Sequence, residues 1–277
     1  MPELPEVQTI VDGLNGAGLA GMSITDARVF WPRTVAGEDA KGFCRRIRGE
    51  AIGAIRRRGK YIIFDFASGA YLLIHLRMSG RLALKARGTP RLKHEHVILD
   101  LGSRVQLRFH DTRKFGRFYL TDDANSILDR LGPEPLGRAF SAKLLEKRLS
   151  GRRRQIKPLL LDQHFIAGLG NIYTDEALWS AGIHPGRQAG TLAPAEIRRL
   201  HRAIRKVLRQ GLAGMGTTLG DGDTNFYSVA GRRGRNQDRL KVFRRSGLPC
   251  PRCQTPLVRL VVAQRGTHIC PHCQQMP

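Results

Sequence analysis

Four residues near one another in type, though not in sequence, could do chemistry: Pro2, Glu3, Glu6 and Lys60. The chain opens Met1-Pro2-Glu3-Leu4-Pro5-Glu6-Val7. If Met1 is removed, Pro2 carries a free secondary amine, fixed in direction by its ring. An unprotonated amine attacks an electrophilic carbon and forms an iminium, a Schiff base. Val7, Ile10, Val11 and Leu14 recur at helical spacing, which puts that amine at a helix N-terminus. The partial positive charge there disfavours protonation, and Pro5 suits a first helical turn. With Met1 attached, residue 2 has no free amine. The alternative is an exposed helix start with two dipole-matching acids. Lys60 is separated from Arg56-Arg57-Arg58 by Gly59, which lets the backbone come close to a ligand. The arginine run reads as a phosphate rail or as a solvated edge.

Other residues suit binding. Cys250-x2-Cys253 and Cys270-x2-Cys273 have sixteen residues between the pairs, the spacing of a zinc ribbon. Disulfides are the alternative and are disfavoured in a cytosolic chain. Cys44 stands apart and reads as a small buried apolar residue. Met78 and Phe115 lie in loops rich in glycine and cations. They are either core side chains or wedges between stacked bases, with Arg113 filling the vacated space. Gly168-Leu169-Gly170-Asn171 opens a helix, a natural phosphate site, and Arg152, Arg153, Arg154 and Lys157 lie just upstream. The alternative is an ordinary pair of helices. Arg265 falls near the turn of the expected ribbon hairpin.

The elements that position these residues follow from pattern. The chain has 277 residues with 41% apolar content, enough for about two domains with real cores. Formal net charge is +24, from 47 Lys and Arg against 23 Asp and Glu, so the partner class is a polyanion, nucleic acid before anionic membrane. Residues 1–136 hold 22 basic and 15 acidic residues, and residues 137–277 hold 25 and 8. The second half reads as the clamp and the first as the place for chemistry. No apolar run reaches transmembrane length and no signal-peptide layout opens the chain, which reads as cytosolic. Residues 61–66, 71–76, 96–101 and 104–109 are short β-rich runs, punctuated by Ala67-Ser68-Gly69 and Gly102-Ser103, so an antiparallel sandwich or barrel is expected. Leu131-Gly132-Pro133-Glu134-Pro135-Leu136-Gly137 reads as a linker. A helix started by Pro158 and running through Leu159, Leu160 and Leu161, two tight turns, a helix from Asn171 and an amphipathic helix over 194–210 follow. Residues 214–239 are Gly-rich and aperiodic, a long loop suited to a lid. The expected fold class is α+β. It comprises an N-terminal antiparallel β-sandwich with flanking helices (1–134) and a helical helix-two-turn-helix domain (135–277). A β-hairpin zinc ribbon over 240–277 belongs to the latter.

Taken in order, Pro2-Glu3-Leu4-Pro5-Glu6-Val7, His75-Leu76-x-Met78-Ser79-Gly80, Asp111-x-Arg113-x-Phe115-Gly116, Gly168-Leu169-Gly170-Asn171-Ile172-Tyr173 and the four-cysteine ribbon resemble formamidopyrimidine-DNA glycosylase, over residues 2–274. The resemblance implies a bacterial base-excision enzyme for 8-oxoguanine and ring-opened purines, with AP lyase activity. It implies damaged double-stranded DNA as partner, one structural Zn2+ and a cytoplasmic monomer. By position, Pro2 would be the nucleophile at C1′, Glu3 the acid that helps open the sugar and Glu6 its support. Lys60 would serve β-elimination, and Arg265 phosphate binding and δ-elimination. His94, Arg113, Arg152, Lys157 and Asn171 would contact DNA; Met78, Arg113 and Phe115 would intercalate; and residues near 217–227 would close over the flipped base. Gln264 and Arg244 stand where the family often has glycine, and Phe243 where a tyrosine is common. Two other readings are the sister enzyme for oxidised pyrimidines, endonuclease VIII, and a non-catalytic zinc-ribbon DNA-binding protein. Leu4 and the Met78/Arg113/Phe115 set disfavour the first, and Pro2 with Glu3 and Glu6 disfavours the second.

Overall fold

The computed structural model describes residues 1–220, 222 and 225–276. Asp221, Asp223 and Thr224, inside the expected lid, therefore lie outside the described residues. The chain forms two compact units, Met1–Asp129 with Gly214–Gln237, and Arg130–Ala213 with Asp238–Pro277. Sequence placed one boundary, between 134 and 135. The observed split falls a few residues earlier, and the 214–237 segment returns to the first unit. Val229 and Phe226 explain the return, because both are buried in the first unit's core.

In chain order the first unit runs α1 (Leu4–Gly16), β1 (Ile24–Val29), β2 (Val35–Ala36), α2 (Ala40–Ile47), β3 (Ile52–Arg58), β4 (Tyr61–Phe66), β5 (Tyr71–His75), β6 (Arg81–Ala86), β7 (Glu95–Leu101), β8 (Val105–His110), β9 (Arg117–Thr121) and α3 (Asn125–Leu128). Two sheets result, ordered β1-β7-β8-β6 and β2-β9-β5-β4-β3. Every pairing is antiparallel except the two-residue β2–β9 contact. Alternate side chains of both sheets share one apolar cluster: Ile62, Phe64, Leu72, Ile74 and Phe118 from one, Leu82, Val97, Leu99, Leu107 and Phe109 from the other. This is the sandwich core, and α1 closes onto it with Val7, Ile10, Val11 and Leu14. Those residues repeat every three or four positions, so one face of the helix is apolar throughout. That burial fixes the helix start, and with it Pro2, Glu3 and Glu6.

The second unit contains α4 (Ala142–Leu149), α5 (Ile156–Leu161), α6 (Asn171–Ala181), α7 (Pro194–Ala213), β10 (Val258–Val262) and β11 (Arg265–Ile269). The turns between α5 and α6 are closed by Gln163. Its amide donates to the Leu161 and Leu169 carbonyls and its oxygen accepts from Gly168 N, all at 2.9 Å. Helix α7 buries Ile197, Leu200, Ile204, Val207 and Leu208, while Arg198, Arg202 and Arg209 are exposed and Arg205 donates to the Pro135, Leu136 and Gly137 carbonyls.

Candidate functional site

Glu3 caps α1, and its carboxylate and that of Glu6 form a reciprocal capping box. The Glu6 carboxylate accepts from Glu3 N at 2.8 Å and from Thr217 N at 2.8 Å. Both acids are buried, as is Lys60. They are therefore not the exposed helix start of the alternative reading. Lys60 occupies the two-residue turn between β3 and β4, where Arg58 pairs with Tyr61. Burial pushes the Met1 amino group below its ordinary value; the charges of Glu3 and Glu6 oppose this, and those of Lys60 and Arg113 reinforce it. The start of the chain thus faces two carboxylates and two cations. Beside them, burial holds the His75 imidazole down to about 3, helped by Arg77 and Lys60. His75 therefore stays neutral and its Nδ1 accepts from Arg77 N at 3.0 Å. His75 belongs to the His75-Leu76-x-Met78-Ser79-Gly80 stretch and Thr217 to the stretch expected to close over the base, but nothing in the sequence ties Thr217 to Glu6.

Met78 and Phe115 sit on loops, and Phe115 is 47% exposed, so it is not a core residue. Met78 is half-buried and Arg113 is exposed, its guanidinium 4.9 Å from the centre of the Phe115 ring. Exposed aromatic and cation together suit a stacked base. His94 is in a left-handed turn (φ 69°), edge-on to His96 and His110.

In the second unit, Asn171 stands at the first turn of α6 and its amide donates to the Gly266 carbonyl at 2.9 Å. Arg265 is exposed at the start of β11 and Arg152 is exposed ahead of α5. Lys157, expected at a DNA contact, is fully buried, and its ammonium donates to Asp175 Oδ1 at 2.6 Å, Thr267 Oγ1 at 2.7 Å and the Gly266 carbonyl at 3.2 Å. An ammonium has three protons, and three acceptors inside the fold take them. The basic run just upstream hid this, because the partner carboxylate comes from the next helix.

Asp175 and Glu176 were missed, although two adjacent acids in an otherwise apolar helix were a signal. Asp175 also accepts from His268 N at 2.9 Å. Glu176 accepts from the backbone N–H groups of Lys241, Val242 and Phe243, at 2.9–3.0 Å. Burial nevertheless raises the Glu176 carboxyl above its usual range. These two acids tie the hairpin and its approach to α6.

The four ribbon thiols lie within 4.8 Å of one another, with Sγ–Sγ separations of 3.4 Å for Cys253–Cys270 and Cys253–Cys273 and 4.0 Å for Cys250–Cys273. No disulfide joins them. A tetrahedral zinc with Zn–S bonds of about 2.3 Å needs sulfurs roughly 3.8 Å apart, so the donor set fits one Zn2+. Four thiolates leave no open position, which makes the metal structural. The Arg252 and Cys273 backbone N–H groups point at Cys250 and Cys270 sulfur, at 3.5 and 3.4 Å.

A β-sandwich with buried acids at its first helix, a helix-two-turn-helix unit and a four-cysteine ribbon define a two-unit protein of the α+β class. Three family models match the chain: the formamidopyrimidine-DNA glycosylase N-terminal domain over residues 1–118, the H2TH domain of the same enzymes over 131–221, and the zinc finger found in FPG and IleRS over 247–275. The chain is 46% identical to formamidopyrimidine-DNA glycosylase of Protochlamydia amoebophila, over 99% of this chain and 100% of that one. It is 43% identical to the same enzyme of Herpetosiphon aurantiacus, with the same coverage. A point mutant of the Lactococcus lactis FPG, solved with Fapy-dG containing DNA, superposes with TM-score 0.92 at 36% identity, covering 99% of this chain and 100% of that one. MutM solved with carbocyclic 8-oxo-G containing DNA gives TM-score 0.91, at the same identity and coverage. This chain belongs to the formamidopyrimidine-DNA glycosylase family, a family of glycosylase/AP lyases, and is a zinc-containing DNA glycosylase of base excision repair.

Among the described residues no helix is long and apolar enough to cross a membrane.

Proposed function

We propose that the chain excises oxidised purines, 8-oxoguanine and formamidopyrimidines, from duplex DNA and then cuts the strand by β,δ-elimination. The observation that carries this is the environment of the chain start: Glu3, Glu6 and Lys60 are buried around it, and burial there lowers the pKa of the Met1 amino group that precedes Pro2. With Met1 removed, the Pro2 amine attacks C1′ of the lesion nucleotide. The C1′–N bond breaks and the base leaves with its electron pair, while Glu3 gives a proton to the sugar ring oxygen as the ring opens. The iminium acidifies the neighbouring sugar protons. Lys60 serves the first elimination and Arg265 the second, so both phosphates depart. Residues 1–134 carry the chemistry and 135–277 hold the DNA. Met78, Arg113 and Phe115 keep the vacated stack open, which offsets part of the few kcal/mol, roughly, needed to extrude a base. His94, Arg152 and Asn171 contact the backbone. Lys157 acts at one remove, by holding the Gly266 carbonyl beside Arg265. The working form is a monomer in the bacterial cytoplasm, on the nucleoid.

Borohydride reduces an iminium to a stable amine, so it tests the central step. Protein and lesion DNA should become covalently joined at Pro2, located by peptide mapping. Retaining Met1 turns the amine into an amide, whose lone pair is delocalised, and trapping should vanish while binding persists. Glu3→Gln should slow excision about 10²–10⁴-fold, the range for loss of a general acid. An adduct at Lys60, or equal trapping with Met1 retained, contradicts the proposal.

A second reading, oxidised pyrimidines, is favoured by one similar structure, the Lactococcus lactis FPG (MutM) solved with an oxidized pyrimidine containing DNA. Parallel cleavage of 8-oxoguanine and thymine-glycol duplexes separates the two.

A further inference from the structure

One buried carboxylate joins the two wedge loops. Asp111 follows β8 and is fully buried. Its Oδ1 accepts from the Ser79 hydroxyl at 2.5 Å and from Arg113 N at 3.2 Å, and its Oδ2 accepts from Gly116 N at 2.7 Å. Ser79 Oγ in turn accepts from Arg113 N at 3.2 Å. Ser79 is the neighbour of Met78, and the Arg113 and Gly116 amides flank Phe115. The same residue reaches a third turn through its main chain. Asp111 N donates to the His94 carbonyl at 2.9 Å, and His96 Nε2 lies 2.8 Å from the Asp111 carbonyl. Both loops contain a residue in the left-handed region, Arg77 (φ 54°) and Lys114 (φ 58°), a conformation non-glycine residues keep only when their surroundings enforce it. Below the knot lies Phe109. A Cβ on Gly116 would come within 2.3 Å of its ring, so the loop cannot shift inward to replace lost bonds.

We infer that Asp111 is a positioning residue for base extrusion: its carboxylate locks the Met78 loop to the Arg113–Phe115 loop, so that the three side chains enter DNA as one prearranged wedge. The inference rests on the wedge reading above. A carboxylate suits the task because it only accepts, and each donor it meets is an N–H or O–H of a loop. Asparagine has nearly the same shape but replaces one acceptor oxygen with an NH2 group. That group would face an N–H donor, and one loop would come free. Ordering the freed loop would then be charged against DNA binding and extrusion instead of being completed on folding.

The test is single-turnover excision of 8-oxoguanine by the zinc-loaded full chain on two duplexes. In one the lesion is opposite cytosine; in the other it is opposite a one-nucleotide gap, where no partner base must be displaced. Asp111→Asn should cut the rate roughly 10–100-fold opposite cytosine and less than about threefold opposite the gap. Ser79→Ala, which keeps the carboxylate and removes one donor, should show a smaller loss with the same substrate pattern. Phe115→Ala should be impaired opposite cytosine and should add little to Asp111→Asn, since both disable one unit. Equal losses on both duplexes, with a large fall in Tm for Asp111→Asn and no pattern in Ser79→Ala, make Asp111 merely structural and overturn the inference. Normal Asp111→Asn beside an impaired Phe115→Ala overturns it and leaves the wedge reading standing. A normal Phe115→Ala removes the wedge reading, and this inference with it.

Discussion

Two hairpin turns present the cations proposed for strand cleavage, and they are built in opposite ways. Lys60 sits in a two-residue turn whose first position is Gly59 (φ 56°), between the paired residues Arg58 and Tyr61. Glycine adopts that φ without strain, and Gly-x is a favoured hairpin turn. The turn stands on the sandwich core and Lys60 is buried. Arg265 follows the turn Ala263-Gln264, where both residues have positive φ (45° and 62°) and neither is glycine. Arg265 is exposed, and among the described residues the apolar cluster around the zinc ligands has Val242, Cys250, Leu257 and Cys270 as its buried members. The sandwich turn is held by apolar packing. The ribbon turn depends on a metal-binding module and a buried ion pair, which hold it in spite of a strained backbone. The comparison teaches that the lysine proposed for the first elimination is fixed by the domain's own fold. The arginine proposed to bind phosphate is carried by a small module whose stability comes from ligands.

The largest break in that comparison comes from the metal. Structural zinc contributes about 10–16 kcal/mol of apparent binding free energy in small zinc modules, and here that free energy is folding free energy for the ribbon. Strong chelation, or Cys250→Ser, should leave the amides of 247–275 exchanging freely with solvent while those of β4 and β5 keep their protection. Duplex affinity should fall with the ribbon. Undiminished affinity in metal-free protein would show that the ribbon does not carry the DNA contact assigned to it.

The next break separates a structural cation from a phosphate ligand. Removing Lys157 leaves Asp175 as a buried charge with one partner gone, and breaking a buried pair costs about 3–5 kcal/mol. Lys157→Ala should therefore lower denaturation midpoints clearly. The slope of log affinity against log salt should stay close to that of the parent, because no phosphate neutralised by Lys157 is lost. Arg265→Ala should do the reverse, with stability nearly unchanged and a slope shallower by roughly one. A shallower slope for Lys157→Ala, at constant stability, would return that lysine to the phosphate contacts.

What the sequence made legible follows the same division. The runs 61–66 and 71–76 were readable because both faces are largely apolar, and 96–101 and 104–109 because large apolar residues alternate along them. Strands β3 and β6 end in or begin with arginine and lysine, and β9 is short, so their apolar pattern is weaker. The cysteines were readable because a tetrahedral metal imposes short local spacing. Phe115 was readable as odd, an aromatic among cations and glycine, but its exposure was not. The burial of Lys157 was not legible because its neighbours in sequence are arginines, while its neighbour in space is Asp175, eighteen residues on. Asp111 was visible only as part of a motif; that its oxygens bind two separate loops is a fact of tertiary structure. The same holds for the Thr217 amide on Glu6, which no spacing rule connects.

The smallest effect concerns the strained turn, and it sharpens the comparison. Gln264 and Arg244 were noted as residues standing where glycine is common in the family, and both have positive φ, 62° and 58°. For an L-residue this conformation costs roughly 1–2 kcal/mol, because Cβ crowds the following carbonyl oxygen. Glycine removes that cost but gains freedom in the unfolded chain, which takes back part of the benefit. Gln264→Gly should therefore stabilise the hairpin by about 0.5–1 kcal/mol. Such a gain is best read as slower amide exchange at Val262 and Arg265, since global Tm reports the sandwich as well. If backbone strain alone distinguishes the two turns, activity should be unaffected and Arg265→Ala should behave identically in both backgrounds. If the strain instead helps aim Arg265, Gln264→Gly should slow the second elimination while the first, assigned to Lys60, keeps its rate. A hairpin made less stable by Gln264→Gly would show that the Gln264 side chain makes contacts outweighing the strain, and the contrast between the two turns would fail.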